Sequence, residues 1–240
     1  MTVRKYGLYS GSITFHFVNT CAVTQVERGI AGHLHRDHPL FDQMQVGGLD
    51  GADLRNFVSQ YRHFVAKIPW LIADLVDRLP GGTARECAVK VLETELGLPT
   101  QLEIYDRSAA GVGAEPAAMS PAMEHLLNTY DYSFSHSDRT AFAALIVPAW
   151  QSTDTSTIIG NCVRRYYGEF SDANAYWRLH SDVDQFHSQW MVEGLEAVMD
   201  PEDNITPCVR ALNGAWWQFY SEQYTWSDSA ESFRLRRVSL

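Results

Sequence analysis

The sequence predicts an all-α fold: one bundle of about seven to nine helices, in a single domain over residues 1–240. Three observations carry this reading. Apolar residues recur at spacings of three and four in segment after segment. Glycine, proline and capping residues fall between those segments. Strict alternation is almost absent, being convincing only from Ser12 to Val18, where it reads as an arm. No internal repeat, low-complexity tract or long linker divides the chain.

The elements follow in order. From Ala52 to Leu79 the residues Leu54, Phe57, Val58, Tyr61, Phe64, Val65, Ile68, Leu71, Ile72 and Leu75 form the apolar stripe of one amphipathic helix, with a bend expected at Pro69. Pro80, Gly81 and Gly82 stop it, and Thr83 is the expected N-cap of a second helix from Ala84 to Leu96. After Gly97 a short break leads to a helix from Gln101 to Ala110, then to a loop from Gly111 to Pro121. Further helices are predicted over Ala122–Tyr130, Arg139–Trp150, Ser156–Tyr167 (capped by Asp154 or Thr155), Asp172–Met199 and Ile205–Tyr224.

Composition removes several classes of function. The net charge is −10, and no basic stripe exists to displace the counterions of a nucleic acid; Arg234 to Arg237 is too short a cluster. No apolar run reaches the ~18–20 residues that span a bilayer. The first residues carry no apolar segment of the signal-peptide kind, so the cytoplasm is expected. The partner expected is a small-molecule substrate, with no nucleic acid and no membrane; a homodimer is compatible with the sequence. Cys21, Cys87, Cys162 and Cys208 are scattered without the spacing of a zinc ribbon, a redox pair or a disulfide framework, and read as free thiols. Gly111 and Gly113 follow no strand and do not suggest a dinucleotide site.

One stretch carries chemistry. His180, Asp184 and His187 stand at i, i+4 and i+7 on the longest C-terminal helix. At 3.6 residues per turn they share one face. Two imidazoles and a carboxylate on one face suit Fe(II) with positions left open for O2 and substrate. On spacing alone a solvated polar face with chance spacing is the more frequent case. The neighbours Val183, Phe186 and Trp190 suggest that the stripe points partly into the bundle, where three polar groups need a partner.

The chain also resembles the haem-oxygenase-like dimetal oxidases, from about His38 to Trp217. The residues that carry the resemblance are His38, Pro39, Leu40 and Phe41; then Leu54, Phe57, Gln60, Tyr61, Phe64 and Pro69; then Val91 through Glu95 to Gly97, before a helix ending near Gly113. Arg165, Tyr166, Tyr167 and Gly168 follow, and finally the His-x3-Asp-x2-His of His180, Asp184 and His187. The resemblance implies a helical fold holding two irons. It assigns His180, Asp184 and His187 as ligands and Glu95 as another, with Glu93 its rival. Two positions depart from the family. Gln101 stands where a ligand histidine is usual, and Gln151 (or Trp150) where a glutamate is usual. The second iron is therefore expected to be weakly held, to recruit Glu103 or Asp106, or to be absent.

The function implied is O2-dependent oxidation of a small amino acid or organic acid by non-haem iron. Arg164, Arg165 and Arg178 are candidates to meet a substrate carboxylate. In length and aromatic content the chain is similar to a branch that converts a brominated tryptophan side chain to a nitrile. The alternative is a metal-free binding or thiamin-salvage-like protein on the same fold. His33, His35 and His38 read as a capping segment, His63 and His125 as single structural histidines. Trp190, Trp216, Trp217, Phe219, Tyr220, Tyr224 and Trp226 read first as core, second as a wall for a flat substrate.

Overall fold

A computed structural model describes residues 20–168 and 171–224. Among them are nine α-helices and two 3-10 turns, and no strand. In chain order the helices are α1 (Cys21–Ile30), α2 (Pro39–Val46), α3 (Gly51–Arg78), α4 (Thr83–Glu95), α5 (Gln101–Val112), α6 (Pro121–His136), α7 (Asp138–Tyr167), α8 (Ala175–Glu196) and α9 (Thr206–Gln223). The all-α expectation holds. The alternating segment from Ser12 to Val18, Trp226, and the basic cluster from Arg234 to Arg237 lie outside the described residues. No helix among the described residues is long and apolar enough to cross a membrane.

Several elements differ from the sequence expectation for identifiable reasons. Residues 139–150 and 156–167 belong to one continuous helix, α7. The hydroxyl-rich stretch that suggested a break is held inside it: Ser152, Thr155 and Thr157 donate to main-chain carbonyls three or four residues back. Asp154 and Thr155 are consequently interior residues rather than caps. Thr83 is the first helical residue, with Gly82 at the cap. α1 and α2 were not anticipated. α1 is capped by Thr20 and buries Ala22, Val23, Val26 and Ile30. α2 is short and is capped by His38, whose Nδ1 accepts from Leu40 N–H; this accounts for His38 as a capping residue.

The aromatic residues fill the core. Trp177, Trp216, Tyr105, Tyr130, Phe57 and Phe219 are fully buried. Their polar atoms find partners: Trp216 Nε1 donates to Tyr130 Oη at 3.0 Å and Tyr105 Oη to the Val58 carbonyl at 2.6 Å. The aromatic run on α9 is therefore packing. Trp216, Phe219 and Tyr220 meet α2, α3 and α6 side chains, while Trp217 lies edge-on to His33 and His38.

α7 and α8 share the most extensive helix–helix contact of the bundle. Two glycines permit it. Gly160 on α7 faces Asn174 and Trp177, and Gly194 on α8 faces the ring of Phe142, which a Cβ would overlap. Phe142 is fully buried and held by the surrounding core. Gly194→Ala should therefore lower unfolding free energy by about 1–3 kcal/mol through overpacking, despite the ~1 kcal/mol helix-propensity gain. Urea denaturation reads this, and a variant as stable as the parent would show that the α7–α8 seam has slack.

Candidate metal centre

α8 is the element that builds the site. Tyr176, His180, Asp184, His187 and Met191 recur at helical spacing and line one cavity of about 60 Å³. The stripe is the inward face of the helix: His180, Asp184 and His187 are 8 %, 4 % and 3 % exposed. Val183 and Phe186, which suggested burial from the sequence, lie to the side, and Phe186 is 42 % exposed. The expectation of burial was right, but its reason was wrong. The ligand-type residues are themselves the buried face.

The last turn of α4 supplies the opposite wall through Glu95, which is buried, while Glu93 is exposed. α3 contributes Tyr61, Phe64, Val65, Ile68 and Ile72, and α7 contributes Leu145, Pro148, Ala149 and Ser152. The cavity is thus apolar on two sides and carries acids and imidazoles on the others.

Asp184 holds the two imidazoles. Its carboxylate lies 3.0 Å from His180 Nδ1 and 3.3 Å from His187 Nδ1. His187 Nε2 meets Thr94 Oγ1 at 2.7 Å, and that hydroxyl donates to the Val91 carbonyl. His180 Nε2 is buried without a hydrogen-bond partner. Burial is the largest influence on Asp184 and pushes its carboxyl pKa up. The charges and hydrogen bonds of His180 and His187 outweigh it and hold the group well below the usual carboxylate range. Glu95 lacks such partners. Burial pushes it up to about 7, against a smaller lowering by His187 and a further raising by Asp184. The phenol of Tyr61 is pushed far up by burial and by the charges of Asp184 and Glu95, and stays neutral.

Whether these residues suit iron is decided by the donor set. Two imidazoles and two carboxylates line one cavity, and one of the ring nitrogens, His180 Nε2, is buried without a hydrogen-bond partner among the described residues. That is iron-type chemistry. The side chains do not stand as a finished cage: among the described residues no three His, Cys, Asp or Glu groups are arranged to hold an ion. His180 is nearest to readiness, with Nδ1 fixed on a carboxylate and Nε2 buried without a partner, a carboxylate contact of the kind that orients a ligating histidine. His187 would have to exchange its contact with Thr94 or Asp184.

The two glutamines part company. Gln151 is turned away from the cavity. Its Oε1 accepts from His35 N–H at 2.8 Å, and its Nε2 donates to Asn213 Oδ1 at 3.0 Å and to the Val147 carbonyl at 3.2 Å. Ser152, the next residue, faces the cavity instead. Trp150 packs against the core. Gln101 is buried on the face of α5 that carries Tyr105 and Ser108, and is not on the cavity wall. Glu103 closes the capping box of α5 and Asp106 pairs with Arg62, and neither lines the cavity. His35, 1 % exposed and pushed down to about 3 chiefly by burial, packs against the rings of Trp216 and Tyr220 rather than at the cavity.

Tyr61, Tyr176, Thr94 and Ser152 were missed from sequence. Tyr176 was accessible: it precedes His180 by one turn on the same stripe. Thr94 and Ser152 carry no signal without the fold.

A family model described as an iron-containing redox enzyme matches residues 55–219. No curated protein matches. Among solved structures, a CADD-like protein of unknown function from Nostoc punctiforme is 17 % identical with a TM-score of 0.69, covering 85 % of this chain and 97 % of that one. A TenA homologue from P. horikoshii is 9 % identical with a TM-score of 0.69, covering 84 % and 97 %. A domain of unknown function with a heme oxygenase-like fold from Shewanella denitrificans is 13 % identical with a TM-score of 0.59, covering 90 % and 91 %. At these identities the likeness is one of fold.

The raised Glu95 yields a pH prediction for the metal-free protein. An acid whose folded value lies above its ordinary 4.5, at about 7, is destabilising once ionised, so its contribution falls as pH rises through that window. Glu95→Gln should gain on the parent by about 3 kcal/mol between about pH 4.5 and about pH 8 in urea unfolding. A constant difference across that range would mean that Glu95 is ordinarily solvated.

Proposed function

Because this chain belongs to the iron-containing redox enzyme family, we propose that it is an O2-dependent non-haem iron oxidase acting on a small amino acid or organic acid. His180, His187, Asp184 and Glu95 would hold the iron. The observation that carries the reading is the burial of these four donors around one cavity, with His180 Nε2 lacking a partner. Bound iron supplies the one-electron chemistry that dioxygen needs in order to react.

The rest is the work of the protein's own residues. Phe64, Val65, Ile68, Ile72, Leu145 and Met191 keep the cavity apolar and limit water around the reacting centre. Asp184 fixes the ring orientation of both histidines through their Nδ1 atoms. Tyr61 and Tyr176 remain neutral phenols, available to present an O–H at the cavity. With Gln151 turned away, and Glu103 and Asp106 engaged elsewhere, Glu95 is the one His, Asp or Glu outside α8 that lines the cavity among the described residues. We therefore propose one firmly held ion and a second that is weakly held. The cavity has room for roughly five water-sized groups, so we favour a slender reacting group over a brominated indole, the substrate of the nitrile-forming reading.

A metal-free binding protein, the reading suggested by the TenA-like fold, has one observation in its favour: Asp184 and the two imidazoles satisfy one another. Anaerobic Fe(II) titration separates the two. The parent should bind at least one ion that survives dialysis. Asp184→Ala and His187→Ala should lose it, while circular dichroism shows the helical fold intact. Binding should weaken at low pH, where imidazole and carboxylate take up protons. Iron uptake unchanged in both variants, or absent from the parent, would overturn the reading.

A further inference from the structure

His35 is a buried titratable group that the metal centre leaves unused. The segment from His33 to His38 carries it into the core, where its main-chain N–H donates to Gln151 Oε1 at 2.8 Å. Its ring is 1 % exposed and lies against Trp216 and Tyr220. Nδ1 meets Tyr220 Oη at 3.3 Å, and Nε2 is buried without a hydrogen-bond partner among the described residues. Burial lowers the imidazole pKa to about 3, so the ring is neutral and one of its nitrogens is an acceptor. Burial also raises the phenol of Tyr220 far above its usual range. At rest the two are a neutral phenol beside a neutral base.

A continuous run of oxidisable rings joins them to the metal chamber. Tyr61 lines the chamber. Its ring centroid lies 5.9 Å from that of Trp216, and Trp216 stacks on Tyr220 at 5.6 Å. Packing alone asks only for rings of suitable volume, and Phe57, Phe64 and Phe219 meet that need beside them. Tyrosine and tryptophan differ from phenylalanine in giving up an electron far more easily. Tyr220 differs from its neighbours in having a base. Trp216 Nε1 donates to Tyr130 Oη at 3.0 Å, and Tyr105 Oη to the Val58 carbonyl at 2.6 Å; neither acceptor takes up a proton at neutral pH. An imidazole does. A phenol that has lost an electron is a far stronger acid than an imidazolium, even one that burial holds down at about 3.

We propose that Tyr220 and His35 form a proton-coupled redox pair, which takes up, away from the metal ligands, an oxidising equivalent that meets no substrate. A one-electron oxidant formed from dioxygen in the chamber gains one electron from Trp216 across the ring of Tyr61. Trp216 keeps its N–H proton, because a phenol oxygen is a poor base, and regains the electron from Tyr220. The O–H proton of Tyr220 moves to His35 Nδ1. The products are a neutral phenoxyl radical, an imidazolium and the oxidant reduced by one electron. That the oxidant arises in the chamber rests on the oxidase reading above; that Tyr220 and His35 form a redox pair does not.

The test reads the radical itself. The metal-free full chain, carrying isotopically labelled histidine, is oxidised with flash-generated tris(bipyridine)ruthenium(III), frozen, and studied by electron paramagnetic and electron–nuclear double resonance. The parent should give a tyrosyl signal coupled to an exchangeable proton and to a histidine nitrogen. Tyr220→Phe should lose that signal. His35→Gln, which still accepts a hydrogen bond but takes up no proton, should lose it too while circular dichroism shows the helical fold intact. No such signal in the parent, or one that either variant leaves unchanged, overturns the pair. In a second arm the Fe(II)-loaded protein meets O2 without substrate. The same signal should appear, and Trp216→Phe should lose it here while keeping it in the photochemical arm. A protein that binds iron and gives no radical, or one indifferent to Trp216→Phe, overturns the link to the chamber. A protein that takes up no iron sinks the oxidase reading alone, and the photochemical arm still decides the pair.

Discussion

A carboxylate at the centre of a helical bundle must be surrounded by compensating charge or protonated, and Asp184 is surrounded. The imidazoles of His180 and His187, one turn to either side on α8, face its two oxygens and keep it ionised against the pull of burial. The rest of the site follows from this clamp. Both rings are held through Nδ1, so each Nε2 is directed elsewhere: that of His180 is left without a partner and that of His187 meets Thr94 at the end of α4. Glu95, beside Thr94 but outside the clamp, is an acid that burial pushes toward neutrality. A cation in the cavity would reverse that tendency, because it favours the ionised carboxylate.

The clamp can sit in the core because α8 is pressed along the length of α7. Gly194 accepts the ring of Phe142 at one end of the seam, and Gly160 admits Asn174 and Trp177 at the other. Between them lies the polar face of α8, bounded by α3 and the end of α4. The same close approach leaves a second cavity along the α7–α8 seam, lined by Ser156, Gly160, Trp177 and Arg178 among others.

The fold was largely legible because it is written in local periodicity. α3, α4, α5 and α9 follow directly from apolar spacing and stop signals. α7 was split in two because hydroxyl residues that often break helices here bond back to its own carbonyls. The site was legible where it is local: His180, Asp184 and His187 share one helix, and their spacing is a sequence property. Glu95 came through the family resemblance. The orientation of Gln151 was not legible. It depends on His35 and Asn213, more than sixty residues away in either direction, and one residue along α7 separates a ligand-like position from Ser152, which does face the cavity. Thr94 likewise acquires meaning only when α4 meets α8.

The most direct measurement is a crystal structure of the protein loaded anaerobically with Fe(II), with anomalous diffraction used to locate the iron. The account predicts a principal iron peak in the α4–α8 cavity, within coordinating distance of His180 and His187 and of a carboxylate from Asp184 or Glu95. A peak elsewhere, such as among His33, His35 and His38, or an empty cavity under saturating iron, would contradict it.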